Sequence, residues 1–399
     1  MVLALLIILA VLVFRSADRQ SPDTLPLITR PLAGFSAPFV FGRFKVPANN
    51  PLTEETVELG RRLFYDVRLS GNNQISCASC HIQRLGFSDG KTTAEGISGK
   101  PLAFNSMSLA NLLWGAEHFF WDGRADSLEQ QALMPIQNVD EMGQNLEALV
   151  LELQADDQYP RLFNAAYGRI STVNIAKALA SFERTLVSAN SKYDQYLRGE
   201  VVLSKQEELG RKLFVAHPDV KTSLRGGNCI DCHSQFLTSG FKPLYDGFSN
   251  NGLDGEKALS PGLQAVTKDP AHRGFFKVPS LRNIAVTAPY MHDGRFASLE
   301  AVLDHYNEGI QMSPTLSPLI MEANNMERGH ATQINLNLAA QEKAAIIAFL
   351  QTLTDPQFLN EEKFSNPFLA RQTRSKLTAP DSKIPDSTIP EFTTPGSIE

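Results

Sequence analysis

Cysteine is scarce in this chain of 399 residues, with only four, and all of them fall in two short stretches, "CASCH" at 77–81 and "CIDCH" at 229–233. Tryptophan is scarcer, with two residues. No lysine and arginine run is dense enough to track phosphates, and the formal net charge is −6, so nucleic acid is excluded as a partner. Sustained period-2 alternation is also missing, which argues against an extensive sheet. Only one long hydrophobic run occurs, "VLALLIILAVLVF" at 2–14, and it stops at Arg15. It is short for a relaxed span and right for the apolar core of an export signal, yet no basic start or A-x-A cleavage site accompanies it. Residues 1–20 therefore read as an export signal or an uncleaved membrane anchor, and either one sends the rest of the chain into the periplasm.

Residues 21–50 carry prolines at 22, 26, 31, 38 and 47 and read as an extended lead-in. Residues 371–399 are rich in Ser, Thr, Pro and Lys and read as a disordered tail. The chain between them repeats itself. "ELGRRLF" at 58–64 returns as "ELGRKLF" at 208–214, "CASCH" as "CIDCH", "DGRADSLE" at 122–129 as "DGRFASLE" at 293–300, and "SFERTL" at 181–186 as "AFLQTL" at 348–353. Four matches in the same order predict an internal duplication, with one unit over 51–200 and another over 201–370. Ile175, Leu179, Phe182 and Leu186 recur at helical spacing, as do Ile346, Phe349, Leu350 and Leu353. The fold class expected is mainly α, with loop-rich chain between the helices.

C-x-x-C-H has a specific chemical reading. Two thiols add across the vinyl groups of haem, and the adjacent histidine reaches the iron from the same side. A zinc site would need a fourth ligand, a dithiol redox site would not need the histidine, and structural disulfides would not repeat a five-residue form. Cys77, Cys80, Cys229 and Cys232 are thus expected to anchor two haem c groups, with His81 and His233 as proximal ligands.

Function then turns on the sixth position of each iron, because a filled position makes an electron carrier and an open one admits a small oxidant. Six residues past each "SLE" the first copy reaches Pro135 and the second reaches Tyr306. Proline offers iron nothing, whereas a tyrosine oxygen can ligate it. Met291 and Met312 are rivals for that second site. Glu141 follows Pro135 closely enough to move protons during O–O cleavage, although most glutamates are merely solvated. Trp121, which precedes the first Asp-Gly-Arg where the second copy has His292, is either core packing or an electron relay.

The motifs "LGRRLFYDVRLS", "CASCH", "FFWDGRADSLEQQA", "CIDCH" and "FKVPSLRNIAVTAPYMHDGRF" resemble those of the bacterial dihaem cytochrome c peroxidase / MauG family, over about 51–368. MauG itself completes a tryptophan-derived cofactor in methylamine dehydrogenase. The resemblance implies two cytochrome c-like domains with haems facing a shared interface. It implies that Trp121 lies between the haems, that Glu141 is the distal acid, and that Gln131 and Pro135 line the peroxide pocket. Asn105, Thr287 and Pro289 resemble residues that hold a calcium ion between the domains, the last two through backbone carbonyls, and oxygen-only ligation suits calcium. Family members needing reductive activation carry a distal histidine after the first haem motif, but residues 82–117 here contain none. Where those peroxidases place a methionine on the second haem, this chain has Tyr306, as MauG does. A tyrosinate favours ferric iron and a low potential.

The expected activity is peroxidatic. Hydrogen peroxide meets an open N-terminal haem, and electrons arrive through the second haem from a small cytochrome c or cupredoxin. One alternative is a MauG-like enzyme that oxidises aromatic side chains of a partner protein. Another is a dihaem carrier without catalysis, which would require both irons to be six-coordinate.

Overall fold

The computed structural model describes residues 30–38, 40–114, 118–234, 247–324 and 334–369. The apolar run at 2–14 and the tail at 371–399 lie outside the described residues. Among the described residues no helix is long and apolar enough to cross a membrane. The architecture is mainly helical. The first half contains α1 (Glu54–Tyr65), α2 (Leu128–Gln137), α3 (Leu146–Gln154), α4 (Tyr159–Tyr167) and α5 (Thr172–Arg184). A short connecting helix, α6 (Lys192–Leu197), leads to α7 (Lys205–Val215), α8 (Leu299–Asp304) and α9 (Ala340–Gln351). Strand content among the described residues is one antiparallel pair, β1 (Phe248–Ser249) and β2 (Phe276–Lys277), with Phe248 opposite Lys277.

In each half a helix with the "ELGR" motif lies along the helix that closes the unit, α1 on α5 and α7 on α9. The motif glycine permits this approach. A Cβ on Gly60 would stand 1.9 Å from the Ala178 carbonyl oxygen, and one on Gly210 would stand 1.8 Å from that of Ala345. No side chain fits there. Ile175, Leu179 and Phe182 on α5 are buried with Leu186, and Ile346, Phe349 and Leu350 on α9 with Leu353, so the expected apolar faces are core faces.

The "DGR" turns also correspond. Phe119 bridges Ala125 before α2, and Tyr290 bridges Phe296 before α8. Ser127 and Ser298 cap the following helices, accepting from the backbone N–H groups of Gln130 and Ala301. Past α8 the chain widens into a π-helical turn over His305–Gly309, which carries Tyr306; such turns concentrate at functional sites.

Two features tie the halves together. Arg282 donates through Nη1 to both oxygens of Asp194 on α6 at 2.7 Å, with both side chains fully buried. Phe358 and Phe364, near the end of the described chain, join the core of the first half. The Gln83 amide donates to the carbonyls of Phe358 and Glu361.

Candidate active site

Both C-x-x-C-H stretches coil through one turn, and the histidine N–H returns to the first cysteine carbonyl at 2.9 Å in each, His81 to Cys77 and His233 to Cys229. The His81 Nδ1 lies 2.8 Å from the Phe87 carbonyl, and the His233 Nδ1 lies 3.1 Å from that of Pro279. A carbonyl only accepts, so Nδ1 carries the proton in each ring and Nε2 presents its lone pair, as an iron ligand must. Burial lowers both histidines, His233 to about 4, which keeps them neutral. The four cysteines form no disulfide. Burial pushes Cys80 up to about 11 and Cys229 and Cys232 to about 12, and it raises Cys77 as well. Buried, protonated thiols do not suit a reactive dithiol.

His81 and His233 line one continuous cavity of about 610 Å³ between the halves. Cys80, Cys229, Cys232, Trp121, Gln131, Pro135, Glu141, Asn105, Thr287, Pro289, Met291 and Tyr306 line it too. The donor set, the buried thiols and the shared apolar walls fit two covalently attached haems.

Near the first motif, burial raises the Glu141 carboxyl above its ordinary range; Arg124 and the Asn138 amide, 3.3 Å from Oε2, pull the other way. The carboxylate is near enough to Cys77 and Cys80 to add to the rise of both thiols. Gln131 and Pro135 sit on α2, and the Gln131 Oε1 is buried without a hydrogen-bond partner. An orphaned acceptor in a cavity wall is suited to a ligand that carries a proton. Trp121 is buried, and its Nε1–H donates to the Asn105 carbonyl at 2.9 Å.

Near the second motif, Asn251 is a residue that motif reasoning missed. Its Nδ2 donates to the Tyr306 hydroxyl at 3.1 Å and lies 3.5 Å from the Met291 Sδ. The two rivals for the distal position therefore meet at one amide. Met312 is exposed and does not line the cavity. Burial pushes Tyr306 up to about 12, which opposes an anionic ligand, while the Asn251 donor favours one. No sequence signal marks Asn251, which sits in an ordinary "SNNG" loop.

Of the expected calcium residues, Asn105 uses its Nδ2 on the carbonyls of Lys91 and Thr92, which leaves Oδ1 as its acceptor. The Thr287 Oγ1 donates to the Ile284 carbonyl. These are neutral oxygens, and among the described residues no group of three or more His, Cys, Asp or Glu gathers as a metal site.

Cavity, thiols and paired histidines define a haem oxidoreductase of the c type. A family model described as di-haem cytochrome c peroxidase matches residues 54–202. The chain is 39% identical over 311 residues to the methylamine utilization protein MauG of Methylorubrum extorquens, covering 77% of this chain and 80% of that one. It is 33% identical over 323 residues to cytochrome c551 peroxidase of Nitrosomonas europaea, covering 78% and 84%. It also resembles the crystal structure of a MauG-like protein associated with microbial copper homeostasis, with a TM-score of 0.73 and 36% identity over 84% of this chain and 99% of that one. The chain belongs to the dihaem cytochrome c peroxidase / MauG family.

Proposed function

We propose that this protein reduces hydrogen peroxide to water at the haem held by Cys77, Cys80 and His81, with electrons drawn through the haem held by Cys229, Cys232 and His233. The observation that carries the reading is the single cavity, lined by both proximal histidines together with Trp121, Gln131, Pro135 and Glu141. The haem iron at His81 supplies the two-electron chemistry that breaks the O–O bond, and the protein supplies position and protons.

Glu141 takes the proton from the bound peroxide oxygen and returns it to the departing one, so the second oxygen leaves as water. Its burial suits this role, because a carboxyl held above its ordinary range exchanges protons closer to neutral pH. Gln131 accepts the peroxide O–H through its orphaned Oε1. Pro135 presents neither a side-chain lone pair nor an N–H, which leaves the space beside Glu141 to the small oxidant. Trp121 relays electrons. Its Nε1–H points at a carbonyl that cannot take the proton, so an electron can leave and return with no proton movement at the indole.

Tyr306, its hydroxyl oriented by Asn251, would hold the iron of the second haem opposite His233. The two halves are copies of one cytochrome c-like unit, supported by the Gly60–Ala178 and Gly210–Ala345 approaches at repeat-equivalent positions. The two C-x-x-C-H motifs would hold their haems in the cavity that both halves line. A calcium ion is held by Asn105, Thr287 and Pro289, and the protein works in the periplasm.

A second reading, oxidation of aromatic side chains on a partner protein, is favoured by Tyr306 and by a loop without histidine after the first haem motif. Electron paramagnetic resonance of the oxidised protein tests the shared premise. One high-spin and one low-spin ferric signal are expected, with the high-spin signal lost on adding peroxide, and two low-spin signals would remove the catalytic scheme. Steady turnover with reduced cytochrome c then supports the peroxidase, and stoichiometric covalent change in a partner supports the second reading.

A further inference from the structure

Lys277 is a buried cation that no step above uses. Its side chain lines the interdomain cavity and the residue is only 6% exposed. The backbone N–H donates to the Trp121 carbonyl at 2.8 Å, and Nζ donates to the His118 carbonyl at 2.8 Å and lies 4.9 Å from the centre of the Phe119 ring. No carboxylate among the described residues pairs with it. Of the other charged residues that line the cavity, Asp122 and Arg124 pair with each other at 2.8 Å, while Glu141 is held toward its neutral form. Burial alone lowers the ammonium to about 8.

A desolvated ammonium facing one carbonyl and one ring lacks the counter-charge that a buried cation requires. The cavity that Lys277 faces is the one that fits the haems, and each haem brings two carboxylates. We propose that the Lys277 ammonium pairs with a haem propionate in the cavity between the two halves and raises the reduction potential of that haem. Lys277 is a positioning and tuning residue. A fixed positive charge beside a propionate disfavours the more positive ferric state, so removing it favours ferric iron. The inference rests on haem placement at His81 and His233, which is checked separately.

The test compares Lys277→Met, Lys277→Arg and parent holoprotein. Two covalent haems per chain, counted by mass and by pyridine haemochrome, establish the placement on its own. Spectroelectrochemical titration then reads both midpoint potentials. The expected result is a downward shift for one haem in Lys277→Met, with Lys277→Arg close to the parent. The high-spin or low-spin signal that titrates with the shifted couple identifies which haem supplies the propionate. Unshifted potentials in Lys277→Met, or an equal fall in Lys277→Arg, overturn the proposal. If Lys277→Met fails to take up haem, a structure of the haem-loaded parent decides instead: Nζ within hydrogen-bonding distance of a propionate supports the pairing, and Nζ remote from all four overturns it.

Discussion

Glu183 makes a pH-dependent prediction that depends on neither catalysis nor docking. It lies on α5, only 5% exposed, and its Oε2 has no hydrogen-bond partner. Burial pushes its carboxyl from 4.5 up to about 8; Arg184 resists and Glu129 adds to the rise. Between these two values the folded protein binds more protons than the unfolded chain, so stability falls as pH rises from 4.5 to 8 and is flat beyond. At about 1.4 kcal/mol per pH unit the loss reaches on the order of 4 to 5 kcal/mol at pH 8. Glu183→Gln keeps the shape and cannot ionise. Its amide leaves buried donors unpaired, costing about 1–3 kcal/mol at every pH. The variant should therefore be no more stable than the parent at pH 5 and should gain on it by several kcal/mol at pH 8. Urea unfolding of the holoprotein at both pH values, followed by the Soret band and by far-ultraviolet circular dichroism, reads the difference. A gap between variant and parent that stays constant from pH 5 to pH 8 would refute the reasoning.

Glu141→Gln should slow the stopped-flow reaction with peroxide by about 10²–10⁴-fold. The parent's rate should rise with pH through a carboxyl held above the ordinary range, whereas the variant is flat, because only an ionised Glu141 can take the peroxide proton. Asn251→Ala removes the donor shared by Tyr306 and Met291 and should alter the low-spin ferric signal. Tyr306→Phe should abolish that signal while Met291→Leu leaves it in place, and the reverse pattern would make Met291 the ligand. Asp194→Ala removes the carboxylate that faces the buried Arg282 charge, and it should cost about 3–5 kcal/mol in chemical unfolding.

The sequence makes covalent and local features legible because their chemistry is written in adjacent residues. C-x-x-C-H needs only one turn of backbone to bring the histidine behind its cysteines, and that turn forms at both places. The apolar faces of α5 and α9 are set by helical period, so Leu179 and Ile346 are readable as core. The repeated "ELGR" was visible as a match, but the reason for its glycine was not. That reason is a carbonyl belonging to a residue more than a hundred positions away, Ala178 or Ala345. Asn251, Lys277 and Glu183 stayed hidden on the same ground. An asparagine in a polar loop, a lysine in a two-residue strand and a glutamate within a helix have no local mark, and each acquires meaning only from what the tertiary fold removes around it.

The same contrast bears on how the two halves differ. Pro135 and Tyr306 occupy corresponding places after equivalent serine caps, yet α2 continues as an α-helix through Pro135 while α8 opens into a π-helical turn at Tyr306. One backbone plan thus presents an inert ring on one side and a hydroxyl held by Asn251 on the other. Polar capacity is left unspent on both sides of the cavity, at the Gln131 oxygen and the desolvated Glu141 in the first half and at Asn228 Oδ1 and Ser249 Oγ in the second. The Tyr306 hydroxyl differs in already having a partner, Asn251. Unsatisfied groups are costly to bury, and the cavity wall carries three such oxygens, Gln131 Oε1, Asn228 Oδ1 and Ser249 Oγ, so what fills the cavity must bring donors of its own.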